Sequence, residues 1–317
     1  MTPKLLTSTR DGFGQAMLAL AKDDSSVVAL CADLTESLRL HWLRDTYPNQ
    51  FIEMGVAEQN MVGVAAGLAL AGLTPFAASY AVFNPGRTWD QIRVSVCYPN
   101  LNVKLIGGHT GVTVGPDGAT HQALEDLALM RVLPNMTVIV PCDGQQAFAA
   151  TMAVAEHVGP CYLRLSREDS ADLSAHYADQ PFEIGKAQIL QNGTDVTLIA
   201  CGQMVAAALT AAELLSQQGV SAQVINMHTI KPLDVPAVLA AARQTEKLVT
   251  IEEHQRSGGL GSAVAEVVAE HHPVPVLRIG VDDSFGQSGT AAQLLEHFGL
   301  TGPLIAKNVK TFLDNRP

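Results

Sequence analysis

Charge, aromatic residues and cysteine are all scarce in this chain of 317 residues. Charged residues make up 16% and aromatics 5%, against 47% apolar, so the chain is not a polar sequence that stays disordered. Positive charge is the scarcer sign. Against 31 Asp and Glu stand 20 Lys and Arg, a net −11, which argues against nucleic acid as a partner. A local basic pocket for an anionic metabolite is still allowed, because net charge does not describe a cleft. Cys31, Cys97, Cys142, Cys161 and Cys201 are odd in number, widely spaced and mostly in or beside apolar runs. They fit buried thiols in a reducing cytoplasm and neither a disulfide framework nor a zinc site. No run of about 18 uninterrupted apolar residues occurs, so no membrane span is expected. Met61 to Leu73 comes closest, and its Gly and Ala content reads as a buried helix. No secretory apolar core follows Met1-Thr2-Pro3-Lys4, and the expected location is cytoplasmic.

What the chain does have is alternation. Short β-branched runs lie at Val27–Cys31, Phe51–Met54, Thr74–Ala78, Asn102–Ile106, Thr137–Val140 and Cys161–Leu165. Helical patterns around 11–22, 57–71, 87–97, 122–131 and 143–157 separate them, the last with Asp143 as a cap. Polar residues without strong periodicity follow from Glu168 to Pro181. A second alternation has strands at Val196–Ala200, Ala222–Asn226, Leu248–Ile251 and Val274–Ile279, with helices near 203–218, 235–244, 260–271 and 290–298. The pattern predicts an α/β protein of two domains, each a mainly parallel sheet flanked by helices. The expected division is 1–168, a linker at 169–185, and 186–317.

The segment from Gly107 to Gln122 holds five glycines, His109, His121 and Asp117 between two apolar runs. Ordering such a loop costs backbone entropy. The cost is worthwhile where backbone and side chains must converge on a ligand, and these residue types suit proton shuttling and hydroxyl recognition. A flexible surface loop is the plain alternative. In Gly55-Val56-Ala57-Glu58-Gln59-Asn60-Met61, a carboxylate opens an otherwise apolar, small-residue helix. Helix capping would account for Glu58. Its apolar surroundings suggest instead a carboxyl with a raised pKa that shares a proton with a ligand nitrogen. Gly258-Gly259-Leu260-Gly261 also opens a predicted helix, but lacks the dinucleotide fingerprint and the P-loop pair, and close helix–sheet packing is the better reading.

These elements together resemble the transketolase family of thiamine diphosphate enzymes. The resemblance rests on Glu58 in its Gly-Val-Ala-Glu-Gln-Asn-Met setting, on Tyr80-Ala81-Val82-Phe83, and on the Gly-Pro-Asp-Gly-Ala-Thr-His-Gln loop. Asp33-Leu34-Thr35, Leu165-Ser166-Arg167 and a segment from Asp282 to Gly289 extend it over nearly the whole chain. The resemblance implies a pyrimidine-binding domain followed by a transketolase C-terminal domain, and thiamine diphosphate with Mg²⁺ as cofactors. It implies that Glu58 hydrogen-bonds N1′ of the aminopyrimidine and so promotes loss of the thiazolium C2 proton. Phe83 would stack on the pyrimidine with Tyr80 beside it, and Asp33 would join the cofactor site. His121 and His109 would move protons near the donor hydroxyls, and Asp117 would accept from the sugar C2 hydroxyl. Arg10, Ser37, His109 and Arg167 would hold a terminal phosphate, or a similar anion such as a sulfonate.

The family's Gly-Asp-Gly motif for diphosphate and Mg²⁺ is missing, as is any acidic cluster with magnesium-ligand spacing. The resemblance therefore implies a split enzyme. Metal ligands would lie on a partner N-terminal subunit, in a heterotetramer with sites between the two chain types. Gln59, Asn60, Pro116 and Ala119 depart from the usual transketolase pattern and bear on substrate range. Synthases of 1-deoxyxylulose 5-phosphate share the loop but are longer single chains. The β subunits of 2-oxo acid dehydrogenases lack it. A non-catalytic regulatory paralogue is the alternative of another class, against which the retained Glu58, His109, Asp117, His121 and Arg167 speak.

Overall fold

A computed structural model describes residues 7–315. The first half runs α1 (Thr9–Asp23), β1 (Val27–Cys31), α2 (His41–Thr46), β2 (Phe51–Glu53), α3 (Glu58–Leu70), β3 (Thr74–Tyr80) and α4 (Trp89–Gln91). It continues β4 (Lys104–Gly108), α5 (Asp126–Arg131), β5 (Thr137–Ile139), α6 (Gly144–Glu156) and β6 (Cys161–Arg164). The second half runs β7 (Gln188–Gln191), β8 (Val196–Ala200), α7 (Met204–Ser216), β9 (Ala222–Asn226), β10 (Thr229–Lys231) and α8 (Val235–Thr245). It ends with β11 (Leu248–Gln255), α9 (Leu260–His271), β12 (Val276–Val281), α10 (Ala291–His297) and α11 (Gly302–Asp314).

Seven strands form one sheet in the order β10-β5-β6-β4-β3-β1-β2, and five form another in the order β12-β11-β8-β9-β7. The expected two-domain α/β architecture is what is observed. Within each sheet the pairings are parallel except at one edge: β10 runs antiparallel to β5, and β7 antiparallel to β9. The strands β1, β4 and β8 are buried at every position, as expected in a doubly covered sheet, and their polar members Lys104 and Thr197 are buried too. Local signals end the helices. Ser8 and Asp11 form a capping box on α1, and the Asp143 carboxylate accepts from Gln146 N at the start of α6, as expected.

The structure shifts some boundaries. β4 begins two residues later than predicted, so Gly107 and Gly108 are strand residues. A Cβ at Gly107 would lie 2.1 Å from the Tyr162 hydroxyl, which makes that glycine a packing requirement. The predicted helix at 87–97 is the short α4 followed by a π-helical segment, Ile92–Cys97. Strands β7 and β10 and helices α2 and α11 were not predicted. Residues between the sheets are not a free tether: Ser170 N donates to Thr7 O, and Tyr177 Oη donates to the Asp143 carboxylate at 2.7 Å. All five cysteines are free and buried. No helix of the described residues is long and apolar enough to cross a membrane.

One core spans both halves, since Leu30, Leu105 and Val138 belong to the same cluster as Ile199, Ile225 and Val264. Polar ties reinforce it. Arg131 forks onto Glu266 at 2.7 and 2.8 Å and donates Nε to Gly258 O at 2.9 Å. The fully buried Arg164–Asp126 pair, 2.8 Å apart, also reaches the main-chain oxygen of Glu253 at 3.0 Å.

Candidate active site

Strands of the seven-stranded sheet end where the candidate side chains begin. Asp33 and Ser37 follow β1, Glu58 follows β2, and Tyr80 and Phe83 mark the end of β3. His109, Asp117 and His121 follow β4, and Arg167 follows β6. In an open α/β sheet, the crevice outside the carboxyl ends of the strands is where ligands bind. Arg10 reaches the same end from the first turn of α1.

Glu58 opens α3 and is 2% exposed. Its expected apolar surroundings need correcting on one side. Arg87 Nη1 donates to Glu58 Oε2 at 2.9 Å, and the Arg87 Cζ lies 4.7 Å from the Phe83 ring centroid. The guanidinium thus touches both the carboxylate and the aromatic face. Arg87 was not among the residues singled out from sequence. A lone arginine after Asn84-Pro85-Gly86 offers only the weak signal of a cation near two candidate residues.

Aromatic rings join the rest. Tyr80 stacks on His109 at 3.8 Å and near-parallel to Phe83 at 6.2 Å. His121 stands edge-on to Phe83 at 5.6 Å, its Nδ1 engaged by Thr120 Oγ1 at 2.9 Å. The Tyr80 hydroxyl donates to Ser37 Oγ at 3.1 Å. Arg10 braces the cluster by donating Nη1 to Ser37 O at 2.9 Å and Nη2 to Arg167 O. Arg167 donates to Val114 O and lies 3.7 Å from the Asp117 carboxylate.

The electrostatics of this cluster favour an anion. Burial, followed by the charges of Arg10, Arg167 and Arg39, pushes the His109 imidazole down to about 2. Burial also lowers Arg10, aided by Arg39. Arg39 is itself paired with Asp11 at 2.7 Å. His109 Nδ1 and Arg10 Nε are buried polar atoms with no hydrogen-bond partner among the described residues. Buried polar groups are normally satisfied, so these two atoms stand out within the cluster.

Asp33 is exposed, and its carboxylate makes none of the contacts that join the others. Its turn is organised by Glu53, which was not singled out from sequence. Glu53 accepts from Asp33 N at 2.8 Å, Thr35 Oγ1 at 2.9 Å and Gly55 N at 2.9 Å. The glycine segment at 258–261 is settled in favour of packing. Glu252 occupies the start of α9, accepting from Leu260 N and Gly261 N at 2.8 Å each. The chain's own carboxylate sits where a phosphate would bind. Among the described residues, no three His, Cys, Asp or Glu side chains are grouped to hold a metal ion.

Comparison with known proteins places these features in context. The family model described as "Transketolase, pyrimidine binding domain" matches residues 7–171, and "Transketolase, C-terminal domain" matches residues 185–305. A transketolase C-terminal section from Methanocaldococcus jannaschii is 44% identical over 95% of this chain and 94% of its own. A 6-deoxy-6-sulfo-D-fructose transketolase subunit of a Clostridium species is 44% identical over 94% of this chain and 92% of its own. A solved structure titled "Split gene transketolase, inactive beta4 tetramer" superposes with a TM-score of 0.90 at 45% identity, covering 98% of this chain and 99% of that one.

Proposed function

The chain belongs to the transketolase family, and from that premise we propose that it is the C-terminal subunit of a two-chain transketolase. The proposed reaction moves a two-carbon ketol unit from a ketose to an aldose. The observation that carries the reading is the meeting of a buried helix-terminal carboxyl, Glu58, with the Phe83 face through one mobile-length cation, beside the His109–Arg10–Arg167 cluster.

Thiamine diphosphate, when bound, supplies an electron sink for carbanion chemistry. The residues fit its pyrimidine end. Glu58 is a buried carboxyl able to hold a ring nitrogen, and Phe83 with Tyr80 offers an aromatic face. Asp33, exposed and outside the cluster, fits a cofactor contact only through the turn that Glu53 builds. The diphosphate and Mg²⁺ are assigned to the N-terminal partner subunit. An uncovered face of α3 agrees with such a partner: Gln59, Asn60, Gly63, Gly67 and Leu70 are exposed, and a Cβ at either glycine would meet nothing within 4 Å. The assembly proposed is a heterotetramer, located in the cytoplasm.

The chain's own side chains then have distinct tasks. His121 keeps Nδ1 on Thr120 and leaves Nε2 to exchange a proton with a sugar hydroxyl. Asp117, held near Arg167, accepts from a hydroxyl at C2. His109, neutral in this setting, offers a hydrogen bond without adding charge. Arg10, Ser37, His109 and Arg167 surround a terminal anion, and a phosphate or a sulfonate meets the same donors.

The test mixes the chain with a subunit carrying the diphosphate-binding domain, thiamine diphosphate, Mg²⁺, a ketose phosphate and an aldose. Turnover should need both chains, and Glu58→Ala should abolish it while circular dichroism stays unchanged. Robust ketol transfer by the isolated chain would falsify the two-chain reading, and full activity of Glu58→Ala would remove its proton role.

A further inference from the structure

We propose that Glu253, on β11 of the second sheet, is a positioning residue for the loop that carries His109, Asp117 and His121. The inference rests on the reading of that loop as the sugar site.

Glu253 is buried, and its Oε1 accepts from Thr113 N at 2.6 Å. Four residues earlier is His109, and four later is Asp117. The loop backbone lies directly on this carboxylate. Gly111 has φ +77°, and a Cβ there would stand 2.2 Å from Glu253 Oε1. The glycine is thus required twice, by its backbone angle and by the approach of the carboxylate. Burial pushes the Glu253 carboxyl up, while Thr113 and Arg164 act in the opposite direction.

The backbone that carries this carboxylate is itself fixed. Arg164 Nη2 donates to the main-chain oxygen of Glu253 at 3.0 Å and to Ala123 O at 3.3 Å, and the same guanidinium is locked onto Asp126. The distal end of the loop has a matching tie. Gln122 Nε2 donates to Gln287 O at 2.8 Å and also reaches Val112 O and Gly115 O at 3.2 and 3.3 Å. Gly286 packs so closely on Gln122 that a Cβ there would lie 1.7 Å from its Oε1. The loop has positive φ at Gly111, Gly115 and Gly118 and is not a sheet strand. Besides the bonds from Arg167 to Val114 O and from Gly111 N to Ala123 O, its shape rests on these two ties, both made to residues more than a hundred positions later in the chain. The second domain thus helps to shape the loop that carries the candidate side chains.

Glu253→Ala removes the acceptor and leaves Thr113 N buried without a partner. Glu253→Gln keeps an oxygen for that N–H. Hydrogen exchange on the full chain reads the tie without reference to activity. Glu253→Ala should speed exchange in the peptide spanning 109–122, and Glu253→Gln should restore slow exchange. Kinetics of the assembled two-chain enzyme read the consequence. Glu253→Ala should lower kcat/KM for a ketose phosphate by about 10- to 100-fold, as expected for a misplaced site, with unchanged half-saturation by thiamine diphosphate. Val264→Ala, a core truncation in the same domain, serves as a stability control. Unaltered exchange in Glu253→Ala overturns the proposal, as does an equal kinetic loss in Val264→Ala at matched loss of Tm. If the unmodified assembly shows no ketol transfer, the sugar-site reading fails, and the exchange result still decides whether Glu253 holds the loop.

Discussion

Arg87 and Glu58 are joined at 2.9 Å while the same guanidinium covers the Phe83 ring at 4.7 Å. A planar cation thus bridges the two groups proposed to hold the cofactor's pyrimidine. The Arg87 side chain is 48% exposed, against 3% for Glu58, so the arginine can leave and the carboxylate cannot. A ligand that needs Glu58 must first displace its partner, which lowers apparent affinity by the fraction of free carboxylate.

Replacing Arg87 by alanine should therefore tighten thiamine diphosphate binding to the assembled enzyme. Half-exposed ion pairs contribute about 0.2–1 kcal/mol, so the half-saturating concentration should fall by roughly 1.4- to 5-fold. Equilibrium binding followed by tryptophan fluorescence measures this directly. Weaker binding by Arg87→Ala would mean that the arginine assists the cofactor and does not compete with it.

Arg167 provides the test of the anion cluster. Its guanidinium lies 3.7 Å from Asp117, and its main-chain oxygen accepts from Arg10. Arg167→Ala should reduce kcat/KM for a phosphorylated ketose by about 10- to 100-fold, the loss expected for hydrogen bonds to a charged group. A ketose with no terminal anion should change little, and a sulfonated one should behave like the phosphate. Equal losses on charged and uncharged ketoses would move Arg167 out of the clamp and into support of the 112–118 backbone.

Much of this arrangement was legible in the amino-acid sequence, and the exceptions have physical reasons. Strands such as Val27–Cys31 and Val196–Ala200 are buried at every position and apolar but for Thr197 because helices cover both faces, and they were read directly. β10 is three residues long and contains Lys231, and β7 is polar at both ends. Each lies at a sheet edge and pairs antiparallel with a strand distant in sequence or separated from it by a helix, so no local period marks it. Glu58, His109 and His121 stood out by residue type and surroundings, Phe83 and Tyr80 through the resemblance to the transketolase family, and the structure brings the five together. Arg87, Glu53 and Glu253 were missed because their importance lies in what they touch. Glu253 sits in Ile-Glu-Glu-His, where two adjacent acids at the end of an apolar strand have the composition of a solvated edge and yet are buried.

The Arg164–Asp126 pair should be the most sensitive polar contact for stability. Burial pushes Asp126 up, but the Arg164 guanidinium overrides this and holds it below the usual carboxylate range. Tyr162 adds a hydroxyl donor at 2.7 Å. Asp126→Ala strands a buried cation and should cost about 3–5 kcal/mol, read as a lower midpoint in denaturant. Adding Arg164→Met should recover part of the loss. A double variant no better than Asp126→Ala would show that the charge left behind is not the source of the damage.

Acid sensitivity should trace in part to His228. The ring is fully buried, packs at a tilt against Phe182 with centroids 4.4 Å apart, shares a hydrogen bond with Thr229 Oγ1 through Nδ1, and has no partner for Nε2 among the described residues. Burial pushes it down to about 4 from an ordinary 6.5, with Asp234 acting weakly in the other direction. The unfolded chain takes up the proton below 6.5, and the folded chain does not until about 4. Stability is therefore whole above the ordinary histidine value and falls as pH drops toward the folded one. Each unit of that window is worth about 1.4 kcal/mol, so the full window amounts to roughly 3 kcal/mol. His109 is depressed in the same direction and adds to the loss. His228→Phe keeps an aromatic ring packed against Phe182 and removes the titration. Its Tm should fall less steeply than that of the unmodified chain as pH is lowered from about 7 to about 4.5. Parallel Tm profiles for the two proteins would place the acid sensitivity elsewhere.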